Sequence, residues 1–319
     1  VVASVSFSKS SVLREGLLSI FPNSIFNETG QRLSGGELIK FFNDADAAIV
    51  GVETINDTLL EHTPALKIIS KYGVGLDSIN QKSLKRRNIS LGWTGGINRQ
   101  SVSELTLCFM LGLCRNVFAS GFKLKNSEWK KSGGHQLSGK IVGVIGCGYI
   151  GSEVVRLLSP FKCPILIHDI LDKSDFCKTH QAKIATLDEV ISLSDLITLH
   201  VPLSELTNGM VSETFFKGMK QTAFLINTSR GRTVDQAALT KALIDHKIAG
   251  AALDVTDPEP IPQNDPISKL PNVVITPHIA SASTENFQNM AKMAADNIVA
   301  ALSGTEMPSC LNREAISNR

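Results

Sequence analysis

The segment Gly143-Val144-Ile145-Gly146-Cys147-Gly148-Tyr149-Ile150-Gly151 constrains this chain more than any other. It places a Gly-x-Gly-x-x-Gly turn directly after an apolar run, Ile141 to Ile145, with the character of a buried parallel strand. A helical pattern, Ser152 to Leu158, follows at once. Each glycine has a separate task in such a strand–turn–helix unit. Gly146 permits the tight turn, Gly148 lets the backbone approach a ligand, and Gly151 lets helix and strand pack closely. The helix then opens with unpaired N–H groups and a partial positive charge, both of which favour a phosphate. A glycine triplet alone is often only a turn. Here a second apolar run, Pro164 to His168, ends at Asp169, 18 positions beyond Gly151. A carboxylate at that place accepts hydrogen bonds from a ribose 2′-hydroxyl and repels a 2′-phosphate. The turn therefore reads as a dinucleotide site. With no arginine among Ile170, Leu171 and Asp172, NAD is favoured over NADP.

Composition mainly excludes. A chain of 319 residues is long enough for two domains with their own cores. A net charge of +2 gives no reason to expect a nucleic acid or an anionic membrane as partner. The longest apolar run, Leu105 to Cys114, is interrupted by Thr106 and Gly112 and falls short of the ~20 residues of a membrane span. The start, Val1-Val2-Ala3-Ser4-Val5, reads as a first strand and lacks the basic flank and apolar core of a signal peptide. The six cysteines form no Cys-x-x-Cys, and several lie in apolar surroundings, as expected of reduced thiols in the cytoplasm. No metal-ligand spacing, internal repeat or low-complexity stretch is visible, and no metal is expected.

Strand-like and helix-like segments alternate, which predicts α/β layers around parallel sheets. The first hundred residues predict strands over Val1–Phe7, Ala47–Val52, Lys67–Ser70 and Ile89–Leu91, with a helix from Gly36 to Asn43. After the glycine turn the predicted strands are Ile165–Asp169, Leu196–His200, Thr222–Thr228, Ala249–Val255 and Val273–Thr276. Long helices are predicted at Ser101–Ala119 and Thr284–Leu302.

Ligands of open α/β sheets collect at the carboxyl ends of strands, and three chemical groups arrive there. Phe224 to Ser229 leads to Arg230, Gly250 to Leu253 leads to Asp254 with Glu259 five positions on, and Val273 to Pro277 leads to His278. This is the set that reduction of a 2-oxo acid needs. An arginine can grip a carboxylate and polarise the ketone, a histidine can deliver a proton, and a neighbouring carboxylate keeps that histidine protonated. The plainer readings are a helix cap or ion pair for Arg230, a core histidine for His278, a solvated turn for Glu259 and a strand-end cap for Asp254.

Seven motifs spread over nearly the whole chain carry a resemblance. They are Lys71-Tyr72-Gly73-Val74-Gly75-Leu76-Asp77, the Gly139-Lys140 to Gly151 stretch, Leu199-His200-Val201-Pro202-Leu203, Asn227-Thr228-Ser229-Arg230-Gly231, Ala252-Leu253-Asp254-Val255, Pro258-Glu259-Pro260 and Thr276-Pro277-His278-Ile279-Ala280. In these the chain resembles the D-isomer-specific 2-hydroxyacid dehydrogenases. The resemblance implies two Rossmann/flavodoxin-like domains, an NAD-binding domain (99–284) inserted into a discontinuous substrate domain (1–98 plus 285–319). It implies Arg230, Glu259 and His278 as the catalytic set. Substrate would be held by Val74, Gly75, Arg230 and His278, with the backbone N–H groups of Val74 and Gly75 on its carboxylate. NAD would be lined by Gly146, Gly148, Tyr149, Ile150, Gly151, Asp169, His200, Val201, Pro202, Thr207, Thr228, Ser229, Asp254 and Ala280. A homodimer built on the cofactor domain is also implied, and the apolar helix around Leu105 to Cys114 is the expected contact.

Lys71-Tyr72-Gly73-Val74-Gly75 looks most like phosphoglycerate dehydrogenases, so 3-phosphoglycerate is the first substrate expected, with glyoxylate or hydroxypyruvate as the alternative. Lys71 and Arg99 are either phosphate contacts or solvated surface charges. The rival from another class is an NAD-sensing corepressor-like interaction protein. The chain departs from the family at Thr94-Gly95-Gly96, where Thr-Pro-Gly is usual, which loosens that bend.

Overall fold

The computed structural model describes residues 1–131 and 133–312. By contacts the chain divides into two compact units, one of Val1–Asn98 with the chain from Thr284 onward, the other of Arg99–Ser283.

The first unit contains a three-stranded parallel sheet of β1 (Ala47–Val50), β2 (Ile68–Lys71) and β3 (Ser90–Gly92), in that order. Val2, Ala3, Ile49 and Ile68 are buried, as strands covered on both faces should be. The long helix Thr284–Leu302 presents Met290, Ala291, Ala294 and Ile298 to the same core as Ile68 and Tyr72, and Ser70 Oγ donates to the Ala294 carbonyl at 3.0 Å. The strand predicted over Val1–Phe7 forms only at its start. Val2 N–H donates to Ile25 and Ala3 N–H to Ile49, after which a short helix runs Val5–Lys9. The alternating valine–serine pattern imitates a strand, but Ser4 accepts from Phe7 N–H and caps a helix instead.

The second unit is built on seven parallel strands. They are β4 (Val142–Ile145), β5 (Ile165–His168), β6 (Lys183–Ile184), β7 (Leu196–Leu199), β8 (Phe224–Asn227), β9 (Gly250–Leu253) and β10 (Val273–Ile275), ordered β10-β9-β8-β7-β4-β5-β6. The chain lays β5 and β6 to one side of β4, then returns to add β7 to β10 on the other. The order reverses between β4 and β7, where open sheets of this kind bind ligands. The two-residue exposed strand β6 had no sequence signal.

The helix predicted at Ser101–Ala119 is two helices, Arg99–Cys114 and Val117–Lys125, set at 69°. Gly112 allows the bend: a Cβ there would overlap the Phe118 ring, which folds back edge-on to Phe109 at 6.5 Å. The first helix buries Val102, Phe109, Met110 and Leu113, while Leu105, Leu107 and Leu111 are half-buried and Cys108 is exposed. Among the described residues no single helix is long and apolar enough to cross a membrane.

Candidate active site

The parallel strands of the second unit all end on one edge, and their following residues form a row. The glycine turn follows β4. Gly146 has φ +90°, and a Cβ on it would lie 2.7 Å from the His200 carbonyl, so the strand ends of β4 and β7 meet only because glycine stands there. A Cβ on Gly151 would overlap the Gly146 carbonyl. Beside Gly148 the space is open, with nothing within 4 Å of a Cβ position. Gly148 also begins the helix Tyr149–Leu158 without any side-chain cap, which leaves its first N–H groups for a ligand. Tyr149 is exposed and Ile150 half-buried in that first turn. This is a cradle that fits a pyrophosphate.

Asp169 follows β5 and has a second task that the sequence did not reveal. Its carboxylate accepts Cys147 N–H at 2.6 Å and Leu171 N–H at 2.8 Å, tying the glycine turn to the next strand. A carboxylate has lone pairs left for ribose hydroxyls after two such bonds. Lys173, one turn on, lies with Nζ 4.0 Å from Asp169 Oδ2, a cation beyond the three residues that adjoin Asp169.

After β7, the His200 imidazole is enclosed. Nε2 meets Thr198 Oγ at 3.0 Å, Nδ1 has no partner among the described residues, and burial pushes the ring down to about 3, so it is neutral. Its carbonyl, not its ring, faces Gly146. Val201 Cγ1 would lie 2.9 Å from that same Cβ position on Gly146. Thr207 shapes the following loop: its Oγ donates to the Pro202 carbonyl at 2.5 Å and accepts Ser204 N–H at 2.8 Å.

Asn227 ends β8 and is buried. Its Oδ1 accepts Ser229 N–H at 3.0 Å and Ser229 Oγ–H at 2.8 Å, while its Nδ2 donates to the Arg230 carbonyl at 3.0 Å. The adjoining Thr228 shares a hydrogen bond with Thr106 Oγ at 3.1 Å. The half-buried Arg230 donates from Nη1 to the Ser229 carbonyl at 2.7 Å. Gly231 brings this turn against the next one, since a Cβ on it would overlap the Thr256 carbonyl.

Asp254 follows β9 with 1% exposure and holds the loop after β10. Its Oδ1 accepts Thr276 Oγ–H at 2.6 Å and Ile279 N–H at 2.8 Å, its Oδ2 accepts Ala280 N–H at 2.8 Å, and its backbone carbonyl accepts His278 N–H at 2.9 Å. His278 is thereby fixed with φ +54°. Its Nδ1 meets Glu259 Oε2 at 2.9 Å, with side-chain exposures of 47% and 40%. Glu259 Oε1 accepts Thr256 N–H at 3.1 Å.

The hydrogen bond that its Nδ1–H donates to Glu259 holds the His278 imidazole above its usual range against the opposing effect of burial. The charges of Glu259 and Asp254 act in the same direction, and Arg230 acts against them. Burial pushes Glu259 up, yet the His278 bond and charge, the Thr256 N–H and Arg230 together bring it below the usual carboxylate range. The result is a carboxylate paired with an imidazole that retains its proton at higher pH, with Arg230 close enough to act on both.

In the first unit, Val74 and Gly75 follow β2 at the carboxyl edge of the smaller sheet. Their N–H groups have no hydrogen-bond partner among the described residues. Lys71 is buried, and its ammonium donates to the Gly51 carbonyl, so it is not a solvated surface charge. Asn227, Thr276 and Thr256 carry no signal of their own in the sequence, and their contacts reveal that they position the neighbouring groups.

A doubly wound parallel sheet with a glycine turn that fits a pyrophosphate, a carboxylate after the neighbouring strand and a paired acid and imidazole along one edge is the arrangement of a dinucleotide-dependent α/β enzyme. Comparison narrows the class. The NAD binding domain profile of the D-isomer specific 2-hydroxyacid dehydrogenases matches residues 107–280. The chain is 36% identical over 289 residues to a glyoxylate reductase of Korarchaeum cryptofilum, covering 88% of this chain and 87% of that one. It is 37% identical over 291 residues to a glyoxylate reductase of Thermofilum pendens, covering 89% and 86%. The fold matches D-lactate dehydrogenase from Aquifex aeolicus, solved with NAD and lactic acid, with a TM-score of 0.83 at 26% identity over 98% of this chain and 97% of that one. The chain belongs to the D-isomer specific 2-hydroxyacid dehydrogenases. It is an NAD-dependent oxidoreductase acting on the CH–OH group of a 2-hydroxy acid.

Proposed function

We propose that this enzyme reduces a small 2-oxo acid of the glyoxylate and hydroxypyruvate class, with Arg230, Glu259 and His278 as its catalytic set. The observation that carries the catalytic assignment is the 2.9 Å contact between Glu259 and His278 on the sheet edge that also bears Arg230. In reduction, the Arg230 guanidinium binds the substrate carboxylate and polarises the ketone. His278 holds its proton because Glu259 is bonded to Nδ1, which leaves Nε2 to give a proton to the carbonyl oxygen. Gly146 to Gly151 and Asp169 hold NAD, which supplies or accepts the hydride. Val74 and Gly75 offer backbone N–H groups to the carboxylate.

Two observations support the small acids over 3-phosphoglycerate. The relatives with the highest identities reported above are named glyoxylate reductases. Lys71, one of the two candidate phosphate contacts, is buried and engaged by the Gly51 carbonyl. The test is a panel of glyoxylate, hydroxypyruvate and 3-phosphohydroxypyruvate followed by NADH absorbance. Glyoxylate or hydroxypyruvate should give the highest kcat/KM; a preference for the phosphorylated acid overturns the assignment.

We also propose a homodimer through the second unit. Beside the expected Leu105–Cys114 helix, the helix Val117–Lys125 offers further apolar surface. That helix exposes Val117, Phe122 and Leu124, and Trp129 follows, 79% exposed. Exposed apolar side chains gathered on one helix and the segment after it support a contact there. Sedimentation at micromolar concentration should give twice the chain mass, and a monomer there would refute the dimer.

A further inference from the structure

The carboxylate-binding loop carries a feature that the chemistry above does not use. Trp93 follows β3, with its backbone N–H bound to the Ser309 carbonyl at 3.2 Å and its ring packed partly on the core that contains Leu91 and Ile79. Its indole Nε1–H donates to the Val74 carbonyl at 2.9 Å. The Val74–Gly75 peptide is trans, since the cis bonds of the chain lie elsewhere. In a trans peptide the C=O and the N–H point in opposite directions. Fixing the Val74 carbonyl toward the indole therefore turns the Gly75 N–H to the opposite side, and that N–H has no partner among the described residues. Gly75 has no Cβ to restrict the torsion on its side of this peptide, so without an anchor the peptide could rotate at little cost. On the other flank, the Lys71 side chain lies 3.7 Å from where a Gly73 Cβ would stand.

We propose that Trp93 is a positioning residue for substrate binding: its indole N–H locks the Val74–Gly75 peptide so that the Gly75 N–H is aimed at the carboxylate of the 2-oxo acid. Trp93 touches neither substrate nor cofactor in this role. The inference rests on the reading that Val74 and Gly75 bind that carboxylate.

The test compares Trp93→Phe, which keeps an aromatic ring and loses the donor, with replacement of Trp93 by 3-benzothienylalanine, which keeps the ring shape with sulfur in place of N–H. Both should raise KM for the 2-oxo acid about three- to tenfold, the worth of one neutral hydrogen bond, with kcat within twofold. The dissociation constant of oxamate, an unreactive 2-oxo acid analogue, measured calorimetrically with NADH present, should rise by the same factor. NADH affinity and melting temperature should hold, which a merely structural role would not predict. A KM rise in Trp93→Phe with a normal KM in the benzothienyl protein means ring size matters rather than the hydrogen bond, and overturns the proposal. Normal KM in both, while Arg230→Ala raises KM, overturns the role of Trp93 and leaves carboxylate recognition intact. Normal KM in all three removes the underlying reading as well.

Discussion

Asp254→Asn is the sharpest perturbation of this site, because it changes one atom and its consequence can be worked from three distances. The carboxylate serves Thr276 Oγ–H at 2.6 Å and Ile279 N–H at 2.8 Å through Oδ1, and Ala280 N–H at 2.8 Å through Oδ2. An asparagine can place its oxygen where Oδ1 stands and keep two of these bonds in neutral form. Its amide nitrogen then faces the Ala280 N–H, so a buried donor loses its acceptor. A hydrogen bond to a charged group contributes about 1.5–3 kcal/mol, and an orphaned buried donor costs about 1–3 kcal/mol. Relief from burying a charge offsets part of this. A net loss of about 2–3 kcal/mol corresponds to a fall of roughly 5–10 °C in melting temperature for a domain of this size. The loop concerned carries His278, so the loss extends to catalysis. A displacement of about 1 Å in a reacting group can cost about 10²-fold in rate. Thermal unfolding by circular dichroism and kcat/KM by NADH absorbance measure the two effects, and Asp254→Ala should exceed Asp254→Asn in both. An Asp254→Asn protein that melts within 2 °C or so of the parent and keeps kcat/KM within about threefold would refute the view that this carboxylate holds the histidine loop.

Glu259→Gln removes the largest cause of the raised His278 value, so the imidazole loses its proton at lower pH. The basic limb of the reduction profile should shift toward acid, while oxidation, which needs the neutral ring, should extend further to acid; an unmoved limb would dissolve the pair. His278→Ala should slow reduction by about 10²–10⁴-fold with NADH affinity retained in a fluorescence titration, because the pyrophosphate cradle lies at Gly146 to Gly151. NADH should be preferred over NADPH by at least about tenfold, or ~1.4 kcal/mol. Asp169→Ala should narrow that gap, helped by Lys173 at 4.0 Å from the lost carboxylate; a parent enzyme preferring NADPH would remove Asp169 from its role. Gly231→Ala drives a Cβ into the Thr256 carbonyl and should lower kcat/KM at least about tenfold by displacing the turn that precedes Glu259, as steady-state kinetics will show.

The parts of this molecule legible in the sequence are those where physics admits few residue types at fixed spacing. The glycine turn was readable because Gly146 and Gly151 stand where a Cβ would meet backbone within van der Waals distance. The strand ends were readable because runs such as Val273–Ile275 stop abruptly at polar residues. Apolar pattern failed where a cap or a partner elsewhere in the chain decides the outcome. Val1–Phe7 alternates like a strand, and only the hydroxyl of Ser4 bonded to Phe7 N–H turns it into a helix. The Ser101–Ala119 pattern hides a bend that depends on Phe118 returning to Gly112, a contact with no periodic signature. Lys71 could not be separated into phosphate ligand or surface charge, because its partner is a backbone carbonyl 20 residues away.

The least legible feature is how the half-exposed groups proposed for catalysis are held still. Arg230 is half-buried, and His278 and Glu259 are nearly half exposed, so their own packing cannot fix them to the tolerance that proton transfer demands. The fixing is done by two buried residues at adjacent strand ends. Asn227 ends β8 opposite Leu253 of β9, and Asp254 N–H donates to the Asn227 carbonyl at 2.9 Å. From that junction the Asn227 side chain binds the backbone of Ser229 and Arg230, and the Asp254 side chain binds the loop from Thr276 to Ala280. Strain at His278, with φ +54°, persists because this carboxylate and its backbone carbonyl over-determine the loop. Rigidity in the buried pair and accessibility in the reacting groups are thus assigned to different residues. Loss of either buried partner should therefore disturb chemistry at a side chain it does not touch.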